Sequence, residues 1–292
     1  MAASPDGNLS QLQEEFANSV QTHILKTTFP LEALPLITAE DLRDRLSEID
    51  HRNRILRALI VAACIDGEMK ASAVAKVEEF ARCLAVDLSP VETAWKLANQ
   101  NLLFARIDII RRSLPGVKMK EVIDNDGVLE GLKQFFPLAG IELDEVAAKY
   151  RALEHYPEGT LGKEYVNYLR RNDFPFPGEI GAGPEIIVIH DCLHVLGDYG
   201  TSPSEEVEVA SFQAGCHFEE PLYGLLFGLA QYHLNIQMGH ISPAQPLQAD
   251  PEKMLAAYVR GCSVNRDMWR DFNPWDHFAK PVKIIRQEIG LI

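Results

Sequence analysis

The chain has 292 residues, 47% of them hydrophobic, which is enough to fill one large core or two modest ones. Its formal net charge of -14 argues against a nucleic-acid groove and against broad electrostatic attachment to anionic lipid. Five widely spaced cysteines, odd in number and without a CxxC pair, give neither a disulfide framework nor a cysteine zinc site.

In chain order, residues 1–37 read as an N-terminal arm with one amphipathic piece from Leu9 to Leu25. No secretory signal or Arg-rich presequence is legible in this polar, acidic opening, so a cytoplasmic protein is expected. From Thr38 to residue 115 the pattern is helical. Thr38 with Asp41 resembles a cap, and Ile55, Leu59, Ala62 and Ala63 recur at helical spacing up to the Asp66-Gly67 turn. Val74, Val77, Phe80, Ala81 and Leu84 form another apolar face. Ser89-Pro90-Val91-Glu92 reads as a capping box opening a helix that runs through Trp95 to Leu103. The break at Leu114-Pro115-Gly116 is the expected boundary, leaving 116–292 as the second domain. A chain beginning near Val117 is then expected to keep whatever site that domain carries.

The most informative run is His190-Asp191-Cys192-Leu193-His194, followed after eleven residues by Glu206. Pro184 near its start and Gly197 at its end place the run on a helix. Two histidines four residues apart then share a face, with Asp191 beside them. Ser202-Pro203-Ser204-Glu205 supplies an N-cap, a first-turn proline and a capping-box acid, which frees Glu206 to turn toward the histidines. Two imidazoles with carboxylates suit one divalent cation, zinc first, with iron, manganese or magnesium as alternatives. The metal ligands are therefore expected to be His190, Asp191, His194 and Glu206. Satisfied polar partners in a helical interior would use the same residue types. Gln213 and His217 fall on the Glu206 stripe and are substrate-binding candidates, as are Arg170 and Arg171, whose guanidinium forks match a carboxylate or phosphate. Cys192 reads as packing. Leu222, Leu225, Leu226, Leu229 and Tyr232, with Gly224 and Gly228 four apart, could form a thin wall beside an isoprenoid chain, although ordinary helix packing gives the same stripe. No period-two strand pattern appears, so the expected fold is all-α, a helical bundle carrying the metal site with a smaller N-terminal helical unit.

Two family resemblances add to this. Ala63-Cys64-Ile65-Asp66-Gly67-Glu68, ahead of Val77-Glu78-Glu79-Phe80, resembles a tellurite-resistance TerB-like helical domain, which implies that Asp66 and Glu68 could hold a cation. From about Glu130 onward the chain resembles the coenzyme Q biosynthesis protein 4 family. That likeness rests on Tyr156-Pro157-Glu158-Gly159-Thr160-Leu161-Gly162-Lys163-Glu164-Tyr165, on Leu169-Arg170-Arg171-Asn172, on the HDxxHx11E spacing, and on Trp275, Pro281, Arg286 and Gly290. The resemblance implies an all-helical fold, a divalent metal on the four residues named above, and a tunnel for a polyprenyl tail. It further implies ubiquinone biosynthesis by metal-dependent oxidative decarboxylation, in which a ring carboxylate of a polyprenylated hydroxybenzoate is replaced by hydroxyl. Cys192-Leu193 and Glu205 depart from the family's usual aromatic and glycine at those places, but no ligand is lost. The alternative is a non-catalytic isoprenoid-lipid-binding or scaffold protein of a quinone-biosynthesis complex. The partners expected are an isoprenoid lipid, a second copy or that complex, and the inner face of a membrane touched peripherally through apolar side chains.

Overall fold

The computed structural model describes residues 9–217, 220–239 and 242–292. Among these the fold is all-α, without strands, and its only β pairing consists of isolated bridges, Thr160 with Pro281 and Leu234 with Pro246. In chain order the helices are α1 Gln11–Ser19, α2 Ala39–Arg45, α3 Ile49–Cys64, α4 Ala71–Leu84, α5 Ser89–Ala98, α6 Leu102–Arg112, α7 Leu114–Asp126, α8 Val128–Lys133, α9 Asp144–Arg151, α10 Leu161–Arg171, α11 Val188–Gly197, α12 Pro203–Gly215, α13 Pro221–Tyr232, α14 Pro251–Cys262 and α15 Val282–Glu288. No helix among the described residues is long and apolar enough to cross a membrane.

Two compact units emerge, and they are not contiguous in sequence. The first comprises residues 1–109 with 226–259, and the second 110–225 with 260–292. The segment Leu226–Val259 thus groups with the N-terminal helices, where an uninterrupted domain over 116–292 was expected. Its tie is specific. The buried His233 ring donates from Nε2 to the Ile65 carbonyl at 2.8 Å and accepts the Ala249 N–H on Nδ1 at 3.0 Å. Gly67, at φ +82°, lies against the Leu247 side chain. Nor does Leu114-Pro115-Gly116 form a linker. Proline in the first turn of α7 gives up an N–H that has no intrahelical partner there, so a helix can begin where the sequence suggests a break.

Within the first unit, α4 buries the expected Val74, Val77, Phe80, Ala81 and Leu84. Helix α3 is rotated by one residue from the expected face, burying Leu56, Ile60, Ala63 and Cys64 in place of Ile55, Leu59 and Ala62. Thr38 caps α2 in a capping box with Asp41, as read. Ser89 does not cap α5. It bonds Asp87 through both its backbone N–H and its hydroxyl, and Leu88 takes the capping position. That helix also ends at Ala98, with Gln100 left-handed at φ 55°, before α6 starts anew. At the proposed TerB-like turn, the Asp66 carboxylate is held by Ser10 and by Gln13 Nε2 at 2.8 Å, while Glu68 pairs with Lys70 at 2.9 Å. These contacts account for both acids without a cation.

The second unit is organised by α10, α11 and α12. Thr160 caps α10 by accepting the Lys163 N–H. Ser202 caps α12 in a capping box with Glu205, and Pro203 opens the helix, as the sequence predicts. Ahead of α11, Glu185–Ile187 form a single 3-10 turn, so the regular helix begins at Val188. Its left-handed terminator is Asp198 at φ 59°, one residue beyond Gly197.

Candidate metal centre

Helix α11 places His190 and His194 one turn apart with their ring centroids 4.8 Å from each other and their planes perpendicular. The facing atoms are the two Nε2 nitrogens, separated by 3.2 Å. Glu206, in the first turn of α12, brings Oε2 to 3.5 Å from His190 Nε2 and Oε1 to 3.6 Å from His194 Nε2. The three residues form a group that could hold a metal ion.

Hydrogen bonds on the far side of each ring fix which nitrogen carries the proton. His194 Nδ1 lies 2.9 Å from the Gly200 carbonyl oxygen, and His190 Nδ1 lies 3.2 Å from Gln213 Oε1. Both oxygens can only accept, so each Nδ1 carries hydrogen, and each ring in its neutral form turns an Nε2 lone pair inward. Two lone pairs and a carboxylate facing one another at these distances call for positive charge among them, which a proton on His190 Nε2 or a bound cation supplies. Metal–donor bonds of about 2.0–2.1 Å at tetrahedral angles set neighbouring donors roughly 3.3 Å apart; the two Nε2 atoms meet that spacing at 3.2 Å, each imidazole faces a different Glu206 oxygen, and one donor from each residue lies within 4.8 Å of the others. The donor chemistry and spacing therefore fit a divalent ion.

The electrostatics agree with this. Burial drives the His194 imidazole down to about 4, so it is neutral near pH 7. Burial alone would raise Glu206, but the hydrogen bond from His190 and the charges of both histidines outweigh it and hold the carboxyl below its ordinary value. At His190, burial is the largest single influence and pushes downward. The hydrogen bond and charge of Glu206, with Asp191 and Gln213, reverse it, so the net direction is upward. The His194 side chain is 0% exposed and that of His190 is 27% exposed, so the group opens to its surroundings on the His190 side.

Asp191, the fourth expected ligand, is not part of the converging group. Its Oδ2 accepts the Tyr165 hydroxyl at 3.3 Å, and burial raises its carboxyl to about 7. Residues on consecutive positions of a helix diverge by about 100°, and a tyrosine on α10 takes up the resulting direction. Cys192 is fully buried, its thiol pushed well up by burial, which agrees with packing.

The four substrate-binding candidates have different fates. Gln213 is buried and reaches His190 as described. Because α12 ends at Gly215, His217 leaves the Glu206 stripe. Its Nδ1 donates to Asp267 at 3.0 Å and its ring stacks on Trp269 with centroids 4.0 Å apart. Arg170 pairs with Glu154 at 2.7 Å while half exposed, and Arg171 bonds back to the Asn167 carbonyl. Both arginines thus act as an exposed helix end. Of the two α13 glycines that could leave room for a lipid chain, Gly224 instead makes room for Trp269, since a Cβ there would sit 3.0 Å from the ring.

Several contributors have no separate signal in the sequence. Tyr168 stacks on His194 at 5.3 Å, and Tyr165 anchors Asp191; their YxxY spacing on α10 places them on one face, but nothing in it points to a metal helix. A cavity of about 300 Å3 borders the start of α11, lined by Ile186, Val188 and Ile189, the cations Lys118 and Arg270, and the ring of Trp275 among others. No residue of α13 lines it. At its edge Glu185 is fixed by the Tyr150 hydroxyl at 2.8 Å and by Lys149 at 2.6 Å.

No protein-family model, no curated protein and no solved structure matches this chain.

Proposed function

We propose that the chain is a metal-dependent enzyme of quinone biosynthesis that replaces the ring carboxylate of a polyprenylated hydroxybenzoate with hydroxyl. The observation that carries this reading is the convergence of His190, His194 and Glu206, which stand in the HDxxHx11E spacing of the family the chain resembles, with two inward lone pairs and a carboxylate at cation-binding distances. Zinc suits the donor set, and iron or manganese fits equally well where the oxidant is dioxygen.

A divalent ion at these residues would bind the substrate's carboxylate or phenolate oxygen and stabilise negative charge there. The protein's own part is to orient both imidazoles, to hold His194 neutral, to keep Glu206 ionised, and to admit the ligand beside His190, the more open of the two rings. The neighbouring cavity offers the rings of Phe272 and Trp275 to an aromatic head group. At about 300 Å3 it matches the lower end of small-molecule sites, so a long prenyl tail would extend beyond it. Exposed Val128, Leu129, Leu132 and Phe135 on and after α8 give an apolar surface through which the protein would touch a bilayer peripherally.

The test is metal analysis of the purified protein together with turnover of a prenylated hydroxybenzoate under dioxygen, following carbon dioxide release and the hydroxylated product. Stoichiometric metal and product support the enzyme. Co-purified isoprenoid lipid without turnover in the presence of zinc, iron or manganese would instead support a lipid carrier or scaffold.

A further inference from the structure

We propose that Gln213 is a positioning residue of the centre, whose side-chain carbonyl fixes His190 as an Nε2 donor; this rests on the metal reading given above. Glu206 and Gln213 stand seven residues apart on α12, two turns and nearly the same face, so one helix presents to α11 both the inward carboxylate and the group behind His190. Gln213 Oε1 lies 3.2 Å from His190 Nδ1, and Gln213 is 5% exposed, surrounded by the buried run Val209 to Gly215. Its rotamer is therefore held by packing.

The choice of glutamine at this buried position calls for a chemical reason. The other half of its amide, Nε2, is buried without a hydrogen-bond partner among the described residues. An apolar side chain of similar length would avoid that unsatisfied donor, so packing alone does not favour glutamine here. The carbonyl half supplies what packing cannot. Of the two histidines, His194 takes its tautomer from a main-chain oxygen, Gly200, which is present whatever the side chain. Among the described residues His190 has no such main-chain acceptor and depends on a side chain. Without an acceptor at Nδ1, its proton is free to move to Nε2, which would close the lone pair that faces His194. Gln213 thus does for His190 what the fold does for His194.

The test reads the imidazole directly. Long-range nitrogen–proton NMR of the metal-free protein in mildly alkaline buffer, where the imidazole is neutral, with His190 identified by its loss in His190→Gln, reports the tautomer. In parallel, zinc affinity is measured by competition with a chelating dye. The wild type is expected to show His190 protonated on Nδ1. Gln213→Leu is expected to mix the tautomers and weaken zinc binding about 10- to 100-fold, the usual effect of removing an outer hydrogen-bond partner. Gln213→Glu restores an acceptor and is expected to recover both the Nδ1–H signature and at least wild-type affinity, which a purely space-filling role would not produce. Gln213→Met serves where the leucine variant does not fold. A wild-type His190 protonated on Nε2, or a leucine variant with unchanged tautomer and affinity, overturns the proposal. Failure of the wild type to bind zinc, iron or manganese would overturn the metal reading instead, and the NMR result would still decide the role of Gln213.

Discussion

Arg286 donates from Nε to the Leu196 carbonyl at 2.8 Å and from Nη2 to the Val195 carbonyl at 3.1 Å, so one guanidinium of α15 closes the C-terminal end of α11. Arg260 adds a bond to the next carbonyl, Gly197. The last carbonyls of a helix have no intrahelical partners, and positive charge there also complements the helix dipole. Arg286→Ala should therefore destabilise the second unit by about 1.5–3 kcal/mol, the range for hydrogen bonds to charged groups. Urea titration followed by helical circular dichroism checks this. Arg286→Lys, which cannot span two carbonyls with a planar fork, should recover only part of the loss. An alanine variant as stable as wild type would show that water replaces the arginine at no cost.

The proposed metal site predicts a separation of metal from fold. His194→Ala removes one donor and Glu206→Gln removes the charge that balances the ion, and each should abolish stoichiometric metal in the purified protein. Helix content should stay close to wild type, because most of the buried side chains of α10, α11 and α12 are apolar and do not depend on the ion. Elemental analysis beside circular dichroism reads both. Retention of full metal in both variants would place the binding site elsewhere in the chain.

How much of this was legible in the sequence depends on the range of the interaction. The cap of α12, the apolar face of α4 and the shared face of His190 and His194 are local consequences of residue type and a 3.6-residue period, and each is present. Asp191 was expected to join the histidines, yet its direction is set by Tyr165, twenty-six positions away, which no local pattern encodes. The one-residue rotation of α3 reflects the same limit, since Ile55, Leu56, Leu59 and Ile60 offer two adjacent apolar faces and packing partners choose between them. His217 falls on the Glu206 stripe only if the helix continues to it, and α12 ends at Gly215. The grouping of Leu226–Val259 with the N-terminal helices is the most distant relation of all, resting on contacts such as His233 with Ile65.

That histidine gives a pH prediction. His233 donates on one nitrogen and accepts on the other, so only the neutral ring satisfies both neighbours. Burial, the largest influence, lowers its pKa below 6.5, outweighing the opposing bond to Ile65 and the charge of Asp66. The unfolded chain then binds a proton more readily than the folded one, so this group's contribution is complete above about pH 6.5 and declines as pH falls through that value toward the folded pKa. Replacement by glutamine, which can also donate and accept, removes the titration. The thermal midpoint of His233→Gln should fall less than that of wild type between pH 7.5 and pH 5.5. Parallel pH profiles for the two proteins would rule out His233 as a source of acid sensitivity.

The division of the chain predicts the fate of its second half alone. A chain starting near Val117 retains every residue of the metal group, and a contiguous domain would keep its metal. The segment Leu226–Val259, however, belongs to the unit built on residues 1–109, and its buried Leu229, Ala230, His233, Met254 and Leu255 would lose that surrounding. His233 would be left without the Ile65 carbonyl, and Leu247 without its contact at Gly67. Unsatisfied polar groups and a broad apolar surface exposed together favour aggregation over independent folding. Residues 117–292 should accordingly be recovered as aggregate, or as a soluble species that binds a hydrophobic dye and melts without cooperativity. Addition of the 1–109 chain should restore a cooperative melt if the break between the pieces is tolerated. A soluble 117–292 chain with full metal and a sharp transition would show instead that the second half folds as one contiguous domain.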